Sequence, residues 1–431
     1  MATKVLLVGS GGREDAVARE LVRSGASIYA AIKNRNPSII SLSKEHILCD
    51  ETDFSRIHRF AIEKGVDLAF IGPDPVLETE LAEKLVSSGI AVASPDRKAA
   101  RIETSKEFMR DLMDRYSIPG NIPSTIIRSA IDLRNFLIKN GKEYAIKPIG
   151  LTGGKGVKVM GDQIRTLEEA IGYGTSIIEK DGKVLLEERV HGEEFSLQVF
   201  TDGTHVKPMP VVQDFKRAYE NDTGPNTGGM GSISGPDGLP FIRKTSVEKA
   251  LNIIKMITEA LRKDGSPFRG VLYGQFMDTT SGPVVIEINS RFADPESMNV
   301  LSLMKSNICD IFFGIAQENL HMNVEFEKKA TVLKYIVPRG YGTEPEAGVL
   351  TVERKSLPDN LRLYYAAVSG TLERVEMSTS RSLAMVGIAD TIPQASDIVE
   401  ENLSLVKGNY YVRHDIGSRE MMDRKTTRYL T

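Results

Sequence analysis

The stretch YAIKPIGLTGGKGVKVM, residues 144–160, decides the fold of the middle of the chain. Tyr144–Pro148 predicts a strand, the glycine-rich segment Gly150–Gly156 a loop, and Val157–Met160 a second strand. This order is typical of a hairpin rather than of a strand-to-helix turn. Three glycines lie within four residues around Lys155, more than a hairpin turn requires. We therefore favour a lid whose backbone amides close over a triphosphate, and a plain β-hairpin turn is the alternative.

The loop lacks the pattern of a P-loop, although it resembles one in composition. Lys155 is followed by Gly156 instead of Ser or Thr, and the first P-loop glycine would fall on Ile149. Lys147 lies in the strand that enters the loop, and its ammonium group must find a partner or reach solvent. A nucleotide phosphate is one partner for it, and a solvent-reaching lysine at a sheet edge is an equal alternative.

Before this hairpin, the first hundred residues alternate short apolar runs with helix-length amphipathic segments. That order predicts βαβ units and an open parallel sheet. The predicted strands are Lys4–Gly9, Ser27–Ile32, Asp67–Ile71 and Ile90–Ala93. The predicted helices are Arg13–Arg23, Ser55–Lys64, Pro75–Ser88 and Ser105–Arg115.

The motif GSGGRE, Gly9–Glu14, lies at the first strand-to-helix turn. Free backbone N–H groups and the helix dipole favour an anion at such a turn. A dinucleotide-binding turn is disfavoured, because its third glycine would fall on Glu14 and Lys33 and Asn34 stand where the ribose acid is expected. We prefer a substrate phosphate site to NAD, and close packing of helix on strand is the alternative.

Beyond the hairpin, the sequence predicts a mixture of strands, loops and helices. The predicted strands are Val184–Glu188, Glu194–Thr201, Val271–Met277 and Pro283–Ile288, with short strands after about Thr331. A long polar loop is predicted from Asp214 to Gly235, and helices are predicted at Val247–Leu261 and Gln394–Val406.

The strand VVIEINSR, residues 284–291, carries the sharpest local signal. Alternation places Val284, Ile286 and Ile288 on one face and Glu287, Asn289 and Arg291 on the other. A carboxylate and an amide oxygen on one face suit Mg²⁺, and the arginine suits a phosphate or carboxylate. A solvent-facing polar stripe is the alternative, but the acid-rich turn Phe292–Glu296 argues against it.

A second acidic run, Leu185–Glu194, carries four carboxylates beside an apolar strand. A surface charge run is the usual explanation of such a pattern. Ribose hydroxyls and an adenine amino group are the ligands that a nucleotide site would offer to the same acids.

Bulk composition limits the class of protein. A chain of 431 residues predicts two to four domains. The net charge of −3 gives no support for nucleic-acid binding. Cys49 and Cys309 offer neither a disulfide framework nor metal-ligand spacing, and no apolar run is long enough to span a membrane. We expect a cytoplasmic protein with no membrane partner.

Together these motifs resemble the phosphoribosylamine–glycine ligase family, ATP-grasp enzymes of purine biosynthesis. The likeness covers nearly the whole chain, and its most specific stretches are QDFKR at 213–217 and DTGPNTGGMG at 222–231. The other matching stretches are GSGGRE, DLAFIGP, Ser105–Lys106, KPIGLTGGKGV, LLEERVHGEE, EINSRFADPE and, at 413–417, RHDIG.

The resemblance implies an α/β and α+β multidomain fold. It implies an N-terminal open parallel βαβ domain at residues 1–103 and an ATP-grasp domain at 104–325, with a glycine-rich lid in a subdomain at about 120–190. A small C-terminal α+β domain would cover residues 326–431. The oligomeric state is left open, and we favour a monomer.

The resemblance also implies site residues. ATP would be bound by Lys106, Lys147, Gly153, Gly154, Lys155, Gly156, Glu187, Glu188, Arg189, Val190, Glu194, Arg217 and Asn226. Mg²⁺ or Mn²⁺ would be bound by Glu287 and Asn289. The catalytic side, where glycine and 5-phosphoribosylamine react, would comprise Asp214, Lys216, Arg291 and Asp294. Further substrate contacts would come from Gly11, Gly12, Arg13, Glu14, Asp222, Thr223, Gly228 and Gly229.

The chain departs from the family pattern at four places. Asp15 stands where the family usually has His, Thr152-Gly153 replaces an alanine-containing loop, and SRFADPE replaces CRFGDPE. Gln275 stands where many relatives place a further metal carboxylate. These differences affect the expected first-domain contact, the lid stiffness and the metal count. The rival hypotheses are another ATP-grasp ligase, a nicotinamide-dependent oxidoreductase and a non-catalytic nucleotide-binding regulator.

Overall fold

The N-terminal layer of the protein is a five-stranded parallel sheet with helices on both faces. The computed structural model describes residues 2–151 and 156–430. The strands are β1 Lys4–Val8, β2 Ser27–Ile32, β3 Ser43–Leu48, β4 Leu68–Ile71 and β5 Ala91–Val92, in the spatial order β3-β2-β1-β4-β5. The helices are α1 Gly12–Arg23, α2 Pro37–Leu42, α3 Phe54–Lys64, α4 Asp74–Leu77 and α5 Leu81–Ser87. The predicted open parallel sheet is confirmed, and its central strands are buried on both faces as continuous apolar runs require.

One helix prediction in this layer is wrong. The segment predicted as a single helix from Pro75 to Ser88 forms two, α4 and α5, separated at Glu78–Glu80. The hydroxyl of Thr79 donates to the carbonyl of Val76 at 2.6 Å and accepts from the N–H of Leu81 at 3.3 Å. These side-chain bonds compete with the helical backbone bonds and end the first helix.

The middle of the chain supplies two antiparallel four-stranded sheets. Its helices are α6 Arg97–Thr104, α7 Lys106–Arg115, α8 Ala130–Asn140, α9 Leu167–Asp181, α10 Lys244–Lys263, α11 Glu296–Leu301 and α12 Ile308–Ala316. Its strands are β6 Ser124–Ile127, β7 Tyr144–Lys147, β8 Lys158–Val159, β9 Val184–Glu188, β10 Glu193–Thr201, β11 Val206–Pro208, β12 Gln213–Asp214, β13 Arg217–Tyr219, β14 Thr223–Asn226, β15 Gly231–Ser234, β16 Gly270–Thr279 and β17 Gly282–Asn289. The two sheets are β6-β9-β7-β8 and β11-β10-β16-β17. The predicted hairpin is confirmed, because β7 and β8 pair antiparallel.

The C-terminal part is built on strand β18. Its strands are β18 Ala330–Pro338, β19 Val349–Val352, β20 Leu361–Tyr365, β21 Val368–Gly370, β22 Arg374–Met377, β23 Leu383–Ala389, β24 Val406–Gly408 and β25 Tyr410–Tyr411. Its helices are α13 Ile392–Asn402 and α14 Arg419–Leu430, and short 3₁₀ turns lie at Arg354–Ser356 and Leu403–Leu405. A further 3₁₀ turn, Glu220–Asp222, lies in the middle of the chain between β13 and β14. The sheets are β12-β15-β18-β23-β20 and β21-β22-β19-β24.

Strands β12 and β15 show why the prediction of one polar loop from Asp214 to Gly235 is wrong. These strands pair with each other and join the sheet of β18, so the middle of the chain and the C-terminal part share a sheet. At Gly231 a Cβ would lie 2.2 Å from the carbonyl oxygen of Leu333, so the close pairing requires glycine. Glycines and polar residues hid these strands from a pattern based on apolar alternation.

A β-bulge corrects the predicted faces of β17. Gln275 pairs with Glu287 and Phe276 pairs with Val285, which leaves Ile286 as the extra residue. Val285 and Ile288 are therefore both buried in the core, while Ile286 lines a cleft. The predicted common face of Val284, Ile286 and Ile288 is wrong, because the bulge shifts the alternation within the strand.

An aromatic cluster joins the first layer to the second sheet of the middle. The ring of Phe70 in β4 stacks on Phe312 of α12 with centroids 5.1 Å apart and lies 5.9 Å from Phe292. Phe200 of β10 meets the Phe292 ring edge-to-face at 5.8 Å. Because Phe292 follows directly after the polar end of β17, this packing fixes that end against the first layer.

Buried polar side chains join the first layer to the C-terminal part. Asp15 is fully buried and accepts from the hydroxyl of Ser38 at 2.6 Å and the N–H of Tyr365 at 2.8 Å. Asn36 is also fully buried and donates to the carbonyls of Tyr365 and Ala366 at 2.8 and 3.2 Å. The residue that departs from the family pattern at position 15 thus faces the C-terminal part. No helix of the described residues has the length and apolarity needed to cross a membrane.

We expect Asp15→Ala to destabilise the protein by about 1–3 kcal/mol, because it leaves a buried N–H and a buried hydroxyl without an acceptor. Asp15→Asn keeps an acceptor oxygen and should lose less. Thermal and urea unfolding of the two variants measure the difference. Equal stability of Asp15→Ala and the parent protein would contradict the role of this contact.

Candidate active site

A cleft of about 690 Å³ lies between the two antiparallel sheets of the middle of the chain. Its volume is in the range of small-molecule sites, roughly 300–1,000 Å³. The first layer and the C-terminal part also contribute to its walls. The predicted site residues that line it are Arg13, Lys106, Lys147, Glu187, Glu188, Arg189, Val190, Glu194, Asp214, Lys216, Arg217, Asp222, Asn226, Gly228, Glu287, Asn289, Arg291 and Asp294.

Other predicted residues do not form its wall. Among the described residues these are Gly11, Gly12, Glu14, Gly156, Thr223 and Gly229. Gly153, Gly154 and Lys155 lie outside the described residues, as does Thr152. The described end of the loop is held by Tyr173 of α9, whose hydroxyl donates to the carbonyl of Gly156 at 2.9 Å.

A buried carboxylate, that of Glu187, lies at the back of the cleft between two cations. Its Oε1 accepts from Nε of Arg110 at 2.8 Å, and its Oε2 lies 2.6 Å from Nζ of Lys147. Burial alone would raise the pKa of Glu187, but Lys147 and Arg110 lower it to about 2. Lys147 is therefore neither a lysine that reaches solvent nor free of protein partners. It is a buried cation that faces the cleft from the sheet β6-β9-β7-β8.

Arg110 is a site-forming residue that the sequence reasoning missed. Its NH2 group donates to the carbonyls of Val285 and Ile286 at 2.9 and 3.1 Å, at the bulge of β17. Arg110 thus links the sheet β6-β9-β7-β8, through Glu187, to the sheet of β17. It lies within an ordinary amphipathic helix, so no motif marks it.

Lys106 begins α7 at the mouth of the loop. Its Nζ donates to the carbonyl of Gly150 at 2.8 Å. Burial lowers the pKa of Lys106, and the Glu287 carboxylate opposes that effect. Lys106 and Lys147 therefore both lie beside the loop and face the polar strand β17.

Glu287 and Asn289 form an oxygen pair on β17. Nδ2 of Asn289 donates to Oε1 of Glu287 at 3.3 Å, which leaves Oδ1 of Asn289 free as an acceptor. Burial would raise the pKa of Glu287, but Lys216, Lys147 and Lys106 lower it, so the carboxylate is charged. The part of the chain that the structure describes contains no group of three or more His, Cys, Asp or Glu residues that could hold a metal ion. The pair still fits Mg²⁺, which takes few protein oxygens and completes its shell with water and phosphate.

Lys216 is a half-buried cation among acids. Its Nζ lies 3.6 Å from Glu194 and 3.9 Å from Asp214. Burial would lower the pKa of Lys216, but Asp214 and Glu194 raise it above its ordinary value. Gln275 donates to Glu194 at 2.5 Å and so orients this carboxylate instead of adding a further acid.

Arg291 is paired with acids of this chain. Its Nε and NH2 donate to the two carboxylate oxygens of Asp74 at 2.7 and 3.2 Å, and NH2 lies 3.0 Å from Glu103. Asp74 has its pKa lowered to about 2, because Arg291 and Arg13 outweigh the effect of burial. A substrate carboxylate can bind the two prongs of Arg291 only by exchange with Asp74.

The structure argues against a phosphate site at the GSGGRE turn. Glu14 is almost fully buried, and its Oε2 accepts the N–H of Gly11 at 2.8 Å. Arg13 donates to the other oxygen of Glu14 at 2.7 Å and to the carbonyl of Phe292 at 2.8 Å. The helix start is therefore capped by its own carboxylate, whose negative charge disfavours a phosphate there.

The C-terminal part adds Arg381, which the sequence reasoning also missed. Arg381 forms an ion pair with Asp294 at 3.1 Å, donates to the carbonyl of Gly228, and lies over the ring of Tyr335 at 4.7 Å. The hydroxyl of Tyr335 donates to Asp294 at 2.6 Å. Gly229 has a φ of 108°, and a Cβ there would lie 2.8 Å from Pro295, so glycine is needed at this approach. Arg381 lies in a serine-rich turn, Ser378–Ser382, without a recognisable motif.

The cleft thus combines two kinds of polar group. Lys106, Lys147 and the Glu287–Asn289 pair suit a metal-bound polyphosphate. Lys216, which also lowers the pKa of Glu287, and Asp294 with its partners suit polar substrates. No activated Ser–His or Cys–His pair lines the cleft among the residues described.

Three family models together match most of the chain. They describe phosphoribosylglycinamide synthetase, with its N domain at residues 3–103, its ATP-grasp domain at 104–297 and its C domain at 331–419. The phosphoribosylamine–glycine ligase of Thermococcus gammatolerans is 46% identical over 425 residues, 98% of this chain and 96% of that protein. The ligase of the same name from Methanothermobacter thermautotrophicus is 46% identical over 432 residues, 98% of each chain.

Solved structures share the fold. The crystal structure of phosphoribosylamine–glycine ligase from Thermotoga maritima has a TM-score of 0.81 at 24% identity and covers 96% of this chain and 100% of that chain. The biotin carboxylase domain of the Hydrogenobacter thermophilus 2-oxoglutarate carboxylase, in complex with MgADP, has a TM-score of 0.76 at 18% identity, over 100% and 97% of the two chains. These likenesses confirm the multidomain α/β fold with an ATP-grasp middle.

The raised pKa of Glu296 predicts that the stability of the folded protein depends on pH. Burial raises its pKa from 4.5 to about 7, and the nearby Asp214 carboxylate adds to the rise. The folded protein therefore holds this proton more tightly than the unfolded chain. The resulting stability is complete below about pH 4.5 and is lost as the pH rises through about 7.

We expect Glu296→Gln, which keeps an acceptor for the hydroxyl of Tyr273, to flatten the decline of the thermal midpoint between about pH 5 and pH 8. Thermal scans of the ligand-free protein across this range measure it. Glu248→Gln, at an exposed position of α10, is the control and should follow the parent curve. Parallel curves for Glu296→Gln and the parent protein would contradict the assignment.

Proposed function

We propose that this chain, which belongs to the phosphoribosylglycinamide synthetase family, joins glycine to 5-phosphoribosylamine with ATP as the phosphoryl donor. The products are glycinamide ribonucleotide, ADP and phosphate. Relatives named for this activity match the chain over almost its full length. The structural support is one cleft in which buried Lys147 and half-buried Lys106 face the Glu287–Asn289 oxygen pair.

The reaction is proposed to proceed in two steps. A carboxylate oxygen of glycine attacks the γ-phosphorus of ATP, which forms glycyl phosphate and releases ADP. The amine nitrogen of phosphoribosylamine then attacks the carbonyl carbon, forms the C–N bond and loses a proton, while phosphate leaves with one former carboxylate oxygen. A free carboxylate is a poor electrophile, so the phosphoryl group supplies the leaving group that the amide bond requires.

Positioning and charge neutralisation account for this catalysis without a covalent protein intermediate. Lys106 and Lys147 would neutralise the polyphosphate. Glu287 and Asn289 would hold a divalent cation, Mg²⁺ or Mn²⁺, and such a cation supplies further charge neutralisation at the phosphates. The other proposed nucleotide contacts are Gly153, Gly154, Lys155, Gly156, Glu187, Glu188, Arg189, Val190, Glu194, Arg217 and Asn226.

Lys216, Asp214 and Asp294 are proposed to line the part of the cleft where glycine and phosphoribosylamine react. Arg291 belongs to this proposal as a residue that receives the glycine carboxylate after exchange with Asp74. Gly228 is a further proposed substrate contact, and Asp222 lines the same cleft. At the GSGGRE turn, Arg13 reaches the cleft wall and is proposed as a substrate contact. Glu14 instead caps the helix start, which disfavours a phosphate there.

Other properties complete the proposal. We propose that the protein is a monomer. We propose the cytoplasm as its compartment, in keeping with free, buried Cys49 and Cys309. The domain division at residues 103/104 and 325/326 stays a prediction.

The assigned substrates are tested by omission. We expect ADP release to require both glycine and freshly prepared phosphoribosylamine. Release with another carboxylate or amine, and not with this pair, would instead identify a different ATP-grasp ligase.

Glu287→Gln should lower kcat by at least about 100-fold, the order found when one charge-stabilising group is removed from an active site. A neutral amide holds a divalent cation less well than a carboxylate. Circular dichroism should show an intact fold, and Glu248→Gln should keep full activity. Near-normal turnover by Glu287→Gln would refute the metal assignment.

The acyl-phosphate route predicts the path of one oxygen atom. Glycine labelled with ¹⁸O in both carboxylate oxygens should transfer one label to the released phosphate, because the C–O bond breaks in the second step. Mass spectrometry of the phosphate measures this transfer. Unlabelled phosphate would exclude glycyl phosphate.

A further inference from the structure

The hairpin of β13 and β14, residues 217–226, carries two proposed nucleotide contacts on a weakly supported element. Its strands pair only with each other, and an isolated two-stranded hairpin is marginally stable at best. Its turn places Asn221 and Asp222 at φ values of 58° and 54°, a region that Asn and Asp tolerate better than most residues. Contacts from outside must therefore fix the place of Arg217 and Asn226.

Those contacts come from the C-terminal RHDIG motif, to which the proposed reaction gives no role. Arg413 of this motif is fully buried. Its NH1 donates to Oδ1 of Asp222 at 2.9 Å and to the carbonyl of Arg217 at 3.1 Å. Its Nε and NH2 bind the two oxygens of Asp415 at 2.9 and 2.6 Å. The guanidinium thus joins the hairpin to the C-terminal part.

The turn of the hairpin receives two more contacts from the same segment. Asp415 accepts the backbone N–H of Asn221 at 3.0 Å. Arg424 of α14 donates to the side-chain oxygen of Asn221 at 2.8 Å. The C-terminal segment therefore binds the side chain and the backbone of the turn, as well as the strand that carries Arg217.

The other side of the hairpin contacts the segment that follows β8, in the sheet β6-β9-β7-β8. The side chain of Arg217 donates to the carbonyl of Gly224 at 2.9 Å and forms an ion pair with Asp162. Asp162 lies three residues after the end of β8, the second strand of the predicted lid hairpin. The hairpin 217–226 thus lies between the C-terminal part and the sheet that carries the lid, at the edge of the cleft.

We propose that Arg413 is a positioning residue, whose bridge between Asp222 and Asp415 holds hairpin 217–226 where Arg217 and Asn226 reach the nucleotide. This inference rests on the proposed binding of ATP in the cleft. Arginine is required because a planar guanidinium binds Asp415 with two prongs while a third nitrogen reaches the hairpin. A lysine ammonium cannot make both contacts in one geometry.

The charges around Asp222 indicate that its carboxylate acts through Arg413. The side chain of Asp222 is 44% exposed, but one of its oxygens is bound to the buried guanidinium. A direct substrate contact through Asp222 would compete with that ion pair. Nucleotide affinity and substrate affinity therefore separate the two roles.

The test measures ATP binding by calorimetry without glycine or phosphoribosylamine, together with steady-state kinetics. We expect Arg413→Lys and Asp222→Ala each to weaken ATP binding by roughly 10-fold to 100-fold, the cost of misplacing binding groups by about 1 Å. The KM for glycine should change by less than about 2-fold. The double variant should lose little more than either single variant, because both changes break one contact.

His414→Asn is the matched control. His414 lies next to Arg413 in the same motif, but its ring binds Glu400 at 2.8 Å and does not contact the hairpin. We expect parental ATP affinity for this variant. Asp222→Ala leaves Arg413 with Asp415, so it remains informative if Arg413→Lys folds poorly.

Two results would overturn the inference. Unchanged ATP affinity in both variants, with only a lower thermal midpoint, would mean that Arg413 contributes to stability alone and does not position the nucleotide contacts. A raised KM for phosphoribosylamine with unchanged ATP affinity would make Asp222 a direct substrate contact. Failure of the proposed function is distinguishable from both, because the parent protein itself would then not bind ATP.

Discussion

The buried carboxylate of Glu187 is the constraint on which the cleft depends. A buried carboxylate is costly unless cations and hydrogen bonds compensate it, and Arg110 and Lys147 together do so. Arg110 also binds the carbonyls at the bulge of β17, so the same arginine fixes the distance between the two sheets. Removal of either cation would leave a buried charge short of a partner and would release one wall from the other. The lysine that faces the cleft and the oxygen pair on β17 are thus positioned by one network.

The other cations of the cleft follow a similar rule. Lys216 lies among Asp214, Glu194 and Glu287, and Arg291 lies between Asp74 and Glu103. A polyphosphate brings further negative charge into this acidic surrounding, so a divalent cation at Glu287 and Asn289 would offset what the lysines do not. The oxygen pair and the lysines are therefore interdependent. The lowered pKa of Glu287 already reflects the three lysines around it.

Sequence reasoning found those parts of the fold that repeat a pattern and missed those that depend on distant contacts. The strand Ser27–Ile32 and the hairpin of β7 and β8 follow from apolar runs and glycine spacing, and both are confirmed. The bulge at Ile286 depends on its partner strand, so alternation alone gives the wrong faces. Arg381 reaches the cleft from an unremarkable turn, and Arg110 supports Glu187 behind the wall from an ordinary helix. No local signal marks either residue. The cap formed by Glu14 could have been found, because glutamate three residues after a helix start is the signature of a capping box.

The boundaries between the parts of the chain are joined by polar contacts as well as by the aromatic cluster around Phe292. Arg291 binds Asp74, Asp15 binds the N–H of Tyr365, and Arg381 binds Asp294. Apolar packing holds surfaces together but tolerates sliding, whereas hydrogen bonds and ion pairs are directional and fix a register. The contacts of Arg291 and Arg381 line the cleft, where a shift of about 1 Å is costly to catalysis. Directional contacts at the boundaries therefore convert the packing of separate elements into one defined site, and Asp15 makes such a contact with an acceptor pair that a histidine could not supply in the same form.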